Sequence, residues 1–160
     1  MRTQISFIVF LVLLTACSPF YAQNSVCDKV FDSYAEKEGV TTLNLSGSLF
    51  SEIFSEGKSD EDCKISSIKI LTIDDSSLNA NLNFFKQIVP KLNKKDYEQL
   101  MIVKSAGQDF VILVKKEKEK ITEAILVSGG QDNALIYITG CLSMANFQKV
   151  SQAVSTSGNI

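Results

Sequence analysis

The chain contains no histidine. It therefore lacks the usual general base near neutral pH, the usual partner of a serine or cysteine nucleophile, and the commonest zinc ligand. No Walker loop, G-x-G-x-x-G or G-x-S-x-G occurs either. Chemistry would have to come from carboxylates, lysines or tyrosines, and a deep pocket gathering Glu98, Lys104 and Glu123 is the arrangement that would signal it. Asp60-Glu61-Asp62 and Asp74-Asp75 are the acidic pairs and triplets nearest to a calcium site. Calcium wants about six to eight oxygens, and neither run has EF-hand spacing, so both read as hydrated loop acids. The Lys115 to Lys120 run, KKEKEK, offers lysines to lipid headgroups, but its two glutamates dilute the charge and a solvated hairpin tip explains it. Gly129-Gly130 would cradle an anion through backbone N–H groups. Its position between two apolar runs, followed by Asp132-Asn133, fits turn chemistry better. This reading assigns no catalytic residue, no metal site and no cofactor.

The cysteines depend on the first residues. Met1-Arg2-Thr3-Gln4 carries positive charge, Ile5 to Leu14 is apolar, and Leu14-Thr15-Ala16-Cys17 follows. Ten apolar residues make about 15 Å of helix, roughly half a bilayer's hydrocarbon thickness. A leader for export is the better reading than a permanent span. Leu-Thr-Ala-Cys also has the form of a bacterial lipobox, with lipidation expected at Cys17 and membrane attachment through that anchor. The alternative is ordinary cleavage near Ala22, which leaves a soluble periplasmic protein. Either way Cys27, Cys63 and Cys141 reach an oxidising compartment. Three thiols allow three single pairings. Cys141 lies in an apolar run and reads as a small buried hydrophobe, which leaves Cys27–Cys63 as the expected disulfide.

The elements that would position these groups follow from periodicity. Val26 to Gly39 reads as a helix stopped by glycine. Val40 to Leu45 reads as a strand, and Ser48 to Ser55 as a short helix capped by Ser48. Lys64 to Asp74 is a second strand. Leu78, Leu82, Phe85, Val89 and Leu92 predict one helix over Ser77 to Asn93, interrupted near its end by Pro90. From Tyr97, four β-rich runs separated by short connectors predict an antiparallel meander. Ala145 to Val154 reads as a closing helix and STSGNI as a polar tail. The meander runs are apolar on adjacent residues, such as Val111-Ile112-Leu113 and Ile125-Leu126-Val127. So helices must cover both sheet faces in part, or one face binds something apolar. The expected architecture is α+β: a largely antiparallel sheet packed against three to four helices. The divisions are a leader over 1–17, a linker over 18–25, one domain over 26–155 and a tail over 156–160.

The stretch from Tyr97 to Val154 resembles the C-terminal part of the family called domain of unknown function 4252. The matching pieces are Tyr97-Glu98-x-Leu100-Met101, Lys120 to Glu123, Gly129-Gly130-x-Asp132-Asn133 and Ile138-x-Gly140, with Ser67 to Thr72 ahead of them. Cys141 departs from the pattern, where a polar or acidic residue is expected. The resemblance implies a small exported protein, often a lipoprotein, typical of Bacteroidota. It brings no activity, cofactor or catalytic residue.

With a net charge of −2 and no clustered positive excess evident, a nucleic-acid surface is not expected. The function expected is non-catalytic: a cell-envelope protein, lipid-anchored on the periplasmic side of the outer membrane, that binds a protein or peptide partner. The alternative is a carrier of lipid or another apolar ligand, and a hydrolase of unfamiliar type ranks below it.

Overall fold

Residues 25–54, 63–118 and 120–142 are described by the computed structural model of the chain. Ser25 opens the first helix, α1 (Val26–Tyr34), with a reciprocal capping box: its hydroxyl accepts from the Asp28 N–H at 3.0 Å, and the Asp28 carboxylate accepts from the Ser25 N–H at 3.3 Å. α1 buries Cys27 and Phe31 against the sheet. The helix stops five residues before Gly39, which serves a different purpose from the stop expected of it. Gly39 has φ +75°, and its carbonyl accepts from the N–H groups of Asp74 and Asp75. A Cβ there would lie 2.4 Å from that of Asp75.

β1 (Val40–Ser46) is followed by α2 (Gly47–Phe54) and β2 (Ile65–Ile73). α2 begins one residue earlier than expected, and the hydroxyl accepting from the Leu49 N–H belongs to Ser46, not Ser48. The long helix expected over Ser77 to Asn93 is instead two short helices, α3 (Ser76–Ala80) and α4 (Phe84–Ile88), and a 3-10 turn, Val89–Lys91, containing Pro90. The break has a chemical cause. Asn79, Asn81 and Asn83 lie in and between the helices, and asparagine side chains compete with helical backbone bonds. Asn81 donates to the Ser77 carbonyl at 2.8 Å, and Asn83 caps α4 by accepting from the Lys86 N–H at 2.9 Å. The break moves the buried positions of α4 back by one residue, to Phe84 and Ile88 in place of Phe85 and Val89, while Leu92 is buried as its place on the stripe implies; Leu78, Leu82, Phe85 and Val89 are only partly buried.

The meander is present: β3 (Glu98–Ser105), β4 (Gln108–Glu117), β5 (Lys120–Gly130) and β6 (Ala134–Leu142). The sequence pattern places Gln108 in a connector with Ala106-Gly107, and Gly129-Gly130 in one reaching Asn133, but Gln108 and Gly129-Gly130 belong to strands. β2 pairs with β6, giving one antiparallel six-stranded sheet in the order β1-β2-β6-β5-β4-β3. The fold is thus α+β and strand-dominated, with few and short helices among the described residues. The expected closing helix Ala145–Val154 and the tail lie outside the described residues.

Adjacent apolar residues on the central strands sort to opposite faces, as pleating requires. Val111, Leu113, Ile125, Val127, Leu135 and Tyr137 join one buried cluster with α1, α4 and Leu92. Ile112, Val114, Ala124, Leu126, Ile136 and Ile138 join a second with Ile65, Ile68 and Phe50 of α2. On the first face Tyr34 and Phe84 meet edge-to-face, centroids 5.3 Å apart, a geometry worth about 1 kcal/mol beyond area burial.

The expected Cys27–Cys63 disulfide is replaced by Cys63–Cys141. Pairing of β2 with β6 sets Ile65 opposite Gly140, which brings Cys63, two residues before β2, beside Cys141 near the end of β6. Cys27 is a free thiol, fully buried in the first cluster.

Candidate functional site

Three places on the described structure gather polar or exposed groups. The first lies on the α1 face of the sheet. Glu123 of β5 accepts hydrogen bonds from the hydroxyls of Tyr97 at 2.8 Å and Tyr137 at 3.2 Å, and from Lys115 at 3.1 Å. Nearby, Lys69 pairs with Asp28 at 2.7 Å. Burial, then Glu123, pushes the Tyr97 hydroxyl far above its ordinary range, and burial is the main cause that lifts Tyr137 to about 12. Burial, then the charges of Asp28 and Glu123, pushes the Cys27 thiol up to about 12. Burial raises Asp28, but hydrogen bonds from Lys69 and Ser25 outweigh it and hold the carboxyl below its usual value. Hydrogen bonding to Glu123 raises Lys115. At neutral pH both hydroxyls and the thiol are therefore protonated, and the thiol is a poor nucleophile. The cluster ties the approach to β3 onto β4, β5 and β6.

Glu98 and Lys104 do not join Glu123 in this place. Glu98 pairs with Lys116 at 2.7 Å, and Lys104 stands over the Phe85 ring, 5.7 Å from its centroid. Asp74 accepts from Thr41 and Thr72, while Asp75 caps α3 through the Leu78 N–H at 2.6 Å. Among the described residues no group of three or more acids or thiols is placed to hold a metal ion. Cys17 and Asp60-Glu61-Asp62 lie outside the described residues. In the KKEKEK run Lys115 and Lys116 are engaged by Glu123 and Glu98, and Lys118 takes φ 60° at the hairpin tip.

The second place is built by Gly129-Gly130-x-Asp132-Asn133. Gly129 is where the start of α4 comes closest to the sheet: a Cβ there would lie 2.5 Å from Asn83 Oδ1 and from the Phe85 N–H nitrogen. Asn133 is buried, its Oδ1 accepting from the Phe84 N–H at 2.7 Å and its Nδ2 reaching Asn79 Oδ1 at 2.7 Å. The motif docks α3 and α4 onto the sheet. Beside it runs an open groove of about 790 Å³, lined by Asn79, Asn81, Asn83, Lys86, Gln87 and Gln131 and reaching Gly107.

The third place escaped sequence reasoning. All eight residues of β3 are exposed, and Leu100, Met101, Ile102 and Val103 retain between 39% and 49% of their accessible surface. Among the described residues β3 is an outer strand, pairing with β4 alone. The two-residue turn Ala106-Gly107 makes Ser105 and Gln108 exchange hydrogen bonds. Alternation from that pair turns the peptide groups of Val103 and Met101 towards β4 and those of Ile102 and Lys104 outward. Ile102 opposes Val111 of the first face, while Met101 and Val103 oppose Ile112 and Phe110 of the second. A bulge at Leu100 interrupts the ladder. The opposite edge, β1, is blunter, with Leu43 its exposed large hydrophobe amid threonines and an asparagine. The signal available in sequence was the uninterrupted run Leu100 to Val103. The run predicts a strand of the meander but not its place in the sheet, because an outer apolar strand and an inner one read alike.

No curated protein and no solved structure matches the chain. A family model, Domain of unknown function (DUF4252), matches residues 34–150, the span that holds all six strands, the Gly-Gly-x-Asp-Asn motif and the open edge. The chain belongs to the DUF4252 family.

Proposed function

We propose that this protein is a non-catalytic binding module of the cell envelope that takes up an extended segment of a partner protein along β3. The observation that carries this reading is four consecutive large apolar residues left exposed on a strand whose outer peptide groups meet no further strand among the described residues. Monomeric proteins blunt such edges, since an open, apolar edge is a template for another strand. Strand addition answers both features together: backbone bonds supply affinity and alternate side chains supply specificity. The protonated tyrosines and thiol around Glu123 support a structural role for that cluster.

Export through the leader, with lipidation at Cys17 or cleavage near Ala22, is part of the same proposal. Mass spectrometry of the mature N-terminus tests it: an acylated Cys17 is expected, and a chain retaining Met1 refutes export. For the binding role, a photocrosslinking residue is placed at Ile102, and at Thr42 of the other edge, in cells producing the full chain. The expected result is one discrete protein adduct from position 102 that disappears when Val103→Glu is added. Adducts to lipid alone would favour the carrier reading, and equal labelling from both positions would refute edge-specific binding.

A further inference from the structure

The surroundings of β3 carry a charge bias that the whole chain hides. Between residues 84 and 109 five lysines stand against three acids, on a chain whose formal net charge is −2. Lys86, Lys91, Lys94, Lys95 and Lys104 are all exposed, and none forms an ion pair among the described residues. Of the acids, Glu98 is paired with Lys116, Asp96 accepts from the Asn93 amide at 2.8 Å and keeps its charge, and Asp109 stands opposite Lys104 in the β3–β4 register. The lysines flank the edge by construction. Lys94 and Lys95 lie in the segment that leads into β3, Lys104 is on it, and the contact of Lys104 with Phe85 brings α4 and Lys86 alongside. The amide-lined groove that starts at Gly107, where β3 ends, contains Lys86 and no carboxylate.

We infer that the partner segment is acidic: an extended polypeptide alternating carboxylates with aliphatic residues, added as a seventh strand on β3 and running past Gly107 into the groove. This inference rests on the proposed binding role. A membrane surface is the rival occupant for an apolar strip framed by lysines. It fits worse, because the outward peptide groups of Ile102 and Lys104 would meet hydrocarbon with no partner. The apolar side chains also divide between the two sheet faces and do not form one insertion wedge. A second copy fits worse too, since pairing two β3 edges sets two lysine-rich frames against each other.

The test uses the purified full chain and two fluorescein-labelled decapeptides, one alternating glutamate with valine or isoleucine, the other with lysine in place of each glutamate. The acidic peptide is expected to bind on the order of tenfold more tightly at low salt. That preference should vanish in the K91E/K94E/K95E variant, and in about 1 M salt, where screening acts within about 3 Å. Ile102→Pro removes an outward donor, and Val103→Glu, which sets a like charge against the acidic strand, is a second edge block should the proline variant unfold by circular dichroism. Both are expected to abolish binding. Equal binding of the two peptides would overturn the acidic preference and leave strand addition standing. Acidic-peptide binding that survives both edge variants would overturn the inference and the binding role together. Binding to phosphatidylglycerol vesicles unaffected by Ile102→Pro would overturn it in favour of a membrane. A dimer in sedimentation that Val103→Lys dissolves would overturn it in favour of a second copy.

Discussion

Replacing Asn133 tests whether the Gly-Gly-x-Asp-Asn motif is structural. The side chain is 2% exposed, and its amide nitrogen lies within 2.7 to 3.3 Å of Asn79 Oδ1 and the carbonyls of Asn79, Gly130 and Leu82. With two hydrogens it serves two of these acceptors at a time, and its oxygen accepts from the Phe84 N–H. Three bonds at about 1 kcal/mol each, plus about 1 kcal/mol or more for the stranded Phe84 N–H, put Asn133→Ala at about 4 kcal/mol. Asn133→Asp keeps the acceptor but sets a carboxylate against carbonyl oxygens. At neutral pH it should be at least as damaging as alanine. Burial would raise the folded pKa of this aspartate, so its stability should recover as pH falls and the protonated acid donates one bond. Urea unfolding followed by circular dichroism reads both. A loss below about 1 kcal/mol for Asn133→Ala, or an aspartate variant indistinguishable from wild type at pH 7, would refute the account of the motif.

Other outcomes follow from the same geometry. Gly129→Ala should lose about 1–3 kcal/mol in urea unfolding, because its Cβ meets the backbone of Phe85. Reducing Cys63–Cys141, which closes a 78-residue separation, should cost about 4 kcal/mol on the loop-entropy account, measured with and without dithiothreitol. Cys27 has its pKa raised from 9.0 to about 12. Folding therefore favours its protonated form, and that stability is present below pH 9 and lost as pH rises towards 12. Between pH 9 and 10 the fall in stability should be shallower in Cys27→Ala than in wild type; parallel curves would show that Cys27 titrates alike in both states. Tyr137, raised from 10.0 to about 12, steepens the fall above pH 10.

Local signals carried most of the fold. The meander was readable because its turns are short, and runs so close in sequence pair antiparallel. The Ser25-x-x-Asp28 box is a local signal of the same kind for the start of α1. What escaped depends on distant pairing. Nothing near Cys63 indicates that β2 lies against β6, so its bond to Cys141 had no local trace. The stripe from Leu78 to Leu92 has helical spacing, but asparagine bonds within Ser76 to Asn83 break it. The open edge escaped for a related reason: apolar content tells that β3 is a strand, and only the strand order tells that it is the last one.

Amide hydrogen exchange across β3 tests the binding claim most directly. In the free chain the N–H groups of Ile102 and Lys104 face outward and should exchange fast, while those of Met101 and Val103 are held by β4. On saturation with the acidic decapeptide, Ile102 and Lys104 should slow by about tenfold or more with Thr42 and Asn44 of β1 unchanged. Unchanged exchange at Ile102 and Lys104 under saturating peptide would contradict the account.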